Sequence, residues 1–138
     1  MDMSNREFSP EVERLFNDAV ASRDAGDLEG AVEKLALFID KCPDFGPAYT
    51  LKGTLLDDLG SLDEAILCFR KGVELLPKSE LASLGLFHSV WDKGDYDSAW
   101  GEMKRFFLAG GRSQDYDDIL EEADSLPEEN NGDEPLGE

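Results

Sequence analysis

Apolar residues recur along this chain at three- and four-residue steps in seven blocks, each bounded by residues that start or stop helices. Val12, Leu15, Phe16, Ala19 and Val20 form the first stripe, with the spacing of one helix face. Ser9-Pro10-Glu11 opens it with a hydroxyl cap, a proline where no amide partner is needed, and an acid at the positive helix end. Gly26-Asp27 breaks this helix, and Asp27 caps a second one carrying Leu28, Ala31, Val32, Leu35 and Phe38. Cys42-Pro43 stops it, because a residue before proline is pushed out of helical geometry. The plan then repeats. Residues 46–59 present Tyr49, Leu51, Leu55, Leu56 and Leu59. Ser61-Leu62-Asp63-Glu64 reads as a capping box, opening a helix with Ala65, Ile66, Phe69 and Val73 that ends at Leu76-Pro77.

Ser79 caps a third first-helix with Leu81, Leu84, Leu86, Phe87, Val90 and Trp91. Gly94-Asp95 turns the chain into a helix with Tyr96, Ala99, Trp100, Met103, Phe106 and Phe107, closed by Gly110-Gly111. Gly26, Gly60 and Gly94 stand 34 residues apart, as do Ala31, Ala65 and Ala99, and Pro43 and Pro77. Self-similarity at this period predicts an all-α stack of helix–turn–helix units. Such solenoids work by offering a surface. Ser113 starts a seventh helix with Tyr116, Ile119, Leu120 and Ala123 on one face, fit to cover the open end of the last unit. The expected organisation is a flexible leader over residues 1–8 and a repeat domain over 9–126. Its units are 12–45, 46–79 and 80–113, with a capping helix over 113–126 and a disordered acidic tail over 127–138.

With Gly60, Leu62, Ala65, Phe69 and Pro77 in phase, and Gly53 as the small residue of the preceding helix, the sequence resembles the tetratricopeptide repeat family over residues 12–111. The first unit offers Ala19, Gly26, Leu28, Ala31, Leu35 and Pro43. The third keeps Gly94, Tyr96, Ala99 and Met103 but has Phe87 at the small site and Gly111 in place of proline. Phe87 therefore predicts a wider third hairpin, or one repacked around Trp91 and Trp100. The resemblance implies a right-handed superhelix whose first helices line a concave groove. By register that groove would hold Glu13, Phe16, Val20 and Arg23, then Pro47, Thr50, Thr54 and Asp57, then Leu81, Leu84, His88 and Trp91. The family's carboxylate clamp needs Lys, Asn and Arg at five places, which here carry Phe16, Val20, Leu51, Leu81 and Gly85. Binding of a chaperone-type C-terminal carboxylate is excluded on those residues.

Charge narrows the partner class. The 138 residues carry a net charge of −19, and residues 113–138 contain eleven acids and no Lys or Arg. Nucleic acid and anionic membranes need clustered cations and are disfavoured; the charge serves solubility or steers a basic partner. No stretch approaches the roughly 18 uninterrupted apolar residues of a membrane span. The N-terminus lacks the order of a secretory signal, and Cys42 and Cys68 lack metal spacing, so a cytoplasmic protein with reduced thiols is expected. His88, the single histidine, reads as a packing residue, and Asp115-Tyr116-Asp117-Asp118 lacks the alternating oxygens and glycine of a calcium loop. The sequence predicts no enzyme, cofactor or metal. It predicts a protein-binding module that takes a short apolar or amphipathic segment through Phe16, Val20, Thr50, Thr54, Leu81, Leu84, His88 and Trp91. An acidic inhibitor of a basic partner and a self-stacking structural module are the alternatives.

Overall fold

A computed structural model describes residues 7–125. Among them are seven α-helices and no strand: α1 (Pro10–Asp24), α2 (Leu28–Lys41), α3 (Gly46–Asp58), α4 (Leu62–Leu75), α5 (Glu80–Asp92), α6 (Tyr96–Leu108) and α7 (Gln114–Asp124). Helices α1–α2, α3–α4 and α5–α6 are consecutive hairpins, each packed on the next. The expected tail, most of the leader and Leu126 lie outside the described residues. Phe8 does not: it packs 5.5 Å from Phe38 and 5.3 Å from Phe45, ring centre to ring centre, and so belongs to the first hairpin's core.

Each hairpin turns on a glycine in the left-handed region, with φ of 87°, 85° and 88° at Gly26, Gly60 and Gly94. A Cβ at these positions would meet nothing within 4 Å, so backbone conformation and not space demands glycine. The turns are copies of one another. The glycine amide bonds back to Arg23, Asp57 or Trp91, and the following amide to Ser22, Leu56 or Val90, closing the orphan carbonyls of the helix end.

Five helices start on a side-chain cap, from Ser9, Asp27, Ser79, Asp95 and Ser113. The capping box expected at Ser61 does not form: its hydroxyl accepts no amide. Ser9, Ser79 and Ser113 cap from extended backbone with ψ of 155°, 115° and 122°. Ser61 shares the bent conformation of Asp27 and Asp95, with ψ of 72°, 79° and 76°. The longer aspartate reaches the amide from there and the serine does not.

Small residues set the helix spacing. Ala19, Ala31, Ala48, Ala65, Ala82 and Ala99 are fully buried. The Phe69 ring of α4 lies between two glycines, Gly53 of α3 and Gly85 of α5, where an added Cβ would come within 2.9 and 2.3 Å of it. Two buried clusters result, one per end of the stack, and Val32 packs against both. In the third hairpin Phe87 is accommodated by repacking. It stacks on Trp91 at 5.8 Å and meets Trp100 at 5.7 Å and Tyr116 at 5.4 Å.

Helix α7 is held by its Ser113 cap, which donates to Glu80 at 2.7 Å, by Ile119 packed on the buried cluster, and above all by Tyr116. Tyr116 is fully buried. Its hydroxyl donates to the Ser83 carbonyl at 3.0 Å and lies 2.7 Å from Ser83 Oγ. Ser83 Oγ donates in turn to Glu102 Oε2 at 2.7 Å, and Arg105 holds both Glu102 oxygens at 2.7 Å. Burial pushes the Tyr116 phenol up to about 12.

Candidate functional site

The first helices α1, α3 and α5 share one face of the stack, and a depression of about 440 Å³ opens there. Its walls are Arg23 of α1, Pro47, Thr50, Leu51 and Thr54 of α3, Leu76 at the end of α4, and Ser79 and Leu81 at the start of α5. Leu81 is 74% exposed and Leu76 41%, so the apolar rim faces solvent. Leu76 and Ser79 continue into a neighbouring depression of about 500 Å³ with Pro77, Lys78 and Ala109. The two form one apolar band across the second and third units.

Polar groups around the band are mostly engaged locally. Thr54 donates to the Thr50 carbonyl at 3.0 Å, and Arg23 pairs with Asp24 at 3.0 Å. Thr50 is buried, and its hydroxyl lies 2.8 Å from where a Cβ on Gly72 would stand, without a hydrogen-bond partner. Beyond Thr54, towards the hairpin turns, the face becomes acidic. Burial holds the Asp57 carboxyl above its usual range, Asp92 and Asp58 add to the effect, and His88 opposes it.

Of the residues singled out from the sequence, the structure gathers Thr50, Thr54 and Leu81 around the depression. Phe16 is half-buried and turned inward, 5.2 Å from Phe38 and 6.0 Å from Phe45. It serves the first hairpin's packing. Val20 is half-buried on α1, and Leu84 packs against the buried cluster of the second and third units. His88 is exposed beside Phe87 at 5.4 Å. Trp91 stands apart from the depression, among Phe87, Tyr96 and Trp100. Leu76 was not foreseen as a wall. Its only signal is register: it occupies the place of Cys42, one period on, but carries a large apolar side chain.

The fold and this face define an all-α helical repeat of the tetratricopeptide type. Solved structures with the same architecture include a point mutant of MamA, at 21% identity and a TM-score of 0.65, covering 72% of this chain and 73% of that one. Another is the Yersinia enterocolitica type III secretion translocator chaperone SycD, at 16% identity and a TM-score of 0.67, covering 89% and 92% of the two chains. Against a further MamA structure, at 22% identity and a TM-score of 0.67, the chain spans 57% of that protein's length. No family model matches the sequence, and no curated protein sequence matches it. At these identities the likeness is one of fold.

Proposed function

We propose that this protein is a protein-interaction module, an adaptor or chaperone-like subunit, that seats a short apolar or amphipathic segment on the face shared by α1, α3 and α5. The carrying observation is the exposure of Leu81 and Leu76 beside Leu51 in one depression. A large apolar side chain exposed in a concave site gains most from being covered, at about 25 cal/mol per Å² of buried apolar surface. Thr50, Thr54 and Arg23 border the depression, while Val20, Leu84 and His88 lie along the same helices towards the turns. Recognition there is by shape and apolar contact. The reading is of a binding protein acting in the cytoplasm, with protein or peptide and not nucleic acid or membrane as its ligand. The MamA and SycD structures with this fold support it by analogy.

The test is affinity capture with the wild type beside Leu81→Asp and Leu76→Asp, at 50 and 500 mM salt. The expected outcome is a partner retained at both salt concentrations and lost from both variants. A partner recovered equally by all three proteins, or released by salt alone, would overturn the assignment.

A further inference from the structure

The third hairpin carries an aromatic surface that its predecessors do not. Leu28, Leu62 and Tyr96 occupy one register position, and Val32, Ile66 and Trp100 another. In the first two units these positions are more covered: Leu28 and Leu62 are half-buried, Val32 touches both buried clusters and Ile66 is 9% exposed. In the third unit Tyr96 is 52% exposed, Trp100 37% and Trp91 39%. Helix α7 takes the place of a following first helix, with Tyr116 in register with Ala48 and Ala82. Alanine lets the helix settle onto the hairpin beneath it; the Tyr116 ring, 5.4 Å from both Phe87 and Phe106, stands between. Only one end of the hairpin is covered. At the other end Trp91 packs 4.6 Å from Tyr96 and 5.7 Å from Trp100, a contiguous, solvent-facing patch.

Its surroundings are acidic. Asp92, Asp95 and Asp97 are exposed beside it; Asp95 accepts from Ser98, and of the neighbouring cations Lys93 is paired with Asp63 and Arg70 acts on Asp95. The described part of α7 contributes six further acids and no base. A second copy of a chain carrying −19 would be repelled from this surface, and so would residues 126–138, which hold five acids and no base. We infer that Trp91, Tyr96 and Trp100 form a second docking surface, separate from the Leu76–Leu81 depression, for an arginine-bearing basic segment of another protein. A guanidinium stacks on indole and phenol faces while its charge meets the carboxylates at the rim, a pairing that lysine makes less well.

The chain's two tryptophans both lie in the patch, so its tryptophan emission, excited selectively over tyrosine, reports on this site. The probe is a nine-residue peptide alternating arginine and leucine, compared with the same peptide carrying uncharged citrulline for arginine. The expected result is a saturable change in tryptophan emission with the arginine peptide, and binding at least tenfold weaker for the citrulline peptide. Asp97→Lys and Asp92→Lys, which keep both fluorophores, should weaken the arginine peptide by a similar factor with circular dichroism unchanged. Leu81→Asp should leave it unaltered, which separates this surface from the depression. The inference fails if the arginine peptide gives no saturable change, if citrulline binds equally, or if Leu81→Asp abolishes binding. It fails equally if emission shifts with protein concentration alone, the mark of a second copy. A shift when residues 126–138 are removed would likewise overturn it, showing that the chain covers its own patch.

Discussion

Removing one oxygen atom tests how α7 is held. In Tyr116→Phe the ring keeps its contacts with Phe87, Phe106 and Phe107, and only the hydroxyl that reaches Ser83 is lost. Ser83 Oγ donates to Glu102, so the tyrosine is the donor in the Tyr116–Ser83 pair, its one proton shared between Ser83 Oγ and the Ser83 carbonyl. A buried hydrogen bond between neutral groups contributes about 1 kcal/mol, and the small hole left behind adds to the loss. The expected destabilisation is about 1–2 kcal/mol, seen as a fall in melting temperature of roughly 3–6 °C for a domain of this size. Circular dichroism melts of the wild type, Tyr116→Phe, Ser83→Ala and the double variant form a complete cycle. A coupling energy near 1 kcal/mol is expected, because either single change breaks the same bond. Additive losses would refute the arrangement.

The same group sets an alkaline limit. With its phenol raised from 10.0 to about 12 in the fold, Tyr116 stays protonated where the unfolded chain ionises. Stability should be intact below pH 10 and fall by about 1.4 kcal/mol per pH unit between the unfolded and folded values. Tyr116→Phe should lack this component, so its deficit should shrink above pH 10. A deficit constant from pH 7 to 11.5 would contradict the assigned environment.

Thr50→Val removes a buried hydroxyl that has no partner, and should raise stability by about 1 kcal/mol in a urea melt; a loss would show that the hydroxyl is bonded. Gly85→Ala should destabilise by about 1–2 kcal/mol, because its methyl would stand 2.3 Å from the Phe69 ring and overpacking exceeds the gain in helix propensity. Gly101→Ala, where a methyl meets nothing within 4 Å, should instead stabilise by about 0.5–1 kcal/mol, and equal effects at the two glycines would discredit the packing around Phe69. Asp57→Asn should add less than about 1 kcal/mol at pH 7 and almost nothing at pH 3. The raised carboxyl of Asp57 favours the fold only while protonated, below the ordinary carboxylate range, and that contribution is lost as pH rises. Equal gains at both pH values would refute the electrostatic cause.

The backbone plan was legible because its signals are local. Gly26, Gly60 and Gly94 demand positive φ whatever surrounds them, and the Asp27, Ser79, Asp95 and Ser113 caps bond within their own first turn. Long side chains were less legible, since a register fixes where a residue starts and not where its ring ends. Phe16 leaves α1 on the face expected for a groove, yet Phe38 of α2 and Phe45 at the start of α3 draw it inward. Trp91 shares a register position with Arg23 and Asp57 but leans onto Phe87, Tyr96 and Trp100, because the third unit alone offers it aromatic neighbours there. Ser61 failed as a cap by the length of one side-chain bond. Leu76 gained its place in the depression from the contact between α4's end and Gly46, which no periodicity encodes.

Phe69 touches α3 on one side and α5 on the other, through Gly53 and Gly85. The thickness of that ring is thus a gauge for the gap between two helices whose outer surfaces carry Leu51 and Leu81. A substitution such as Phe69→Leu, invisible from the solvent side, would bring the walls of the depression to a different width. Selection for a new ligand could act here without altering any residue that the ligand meets.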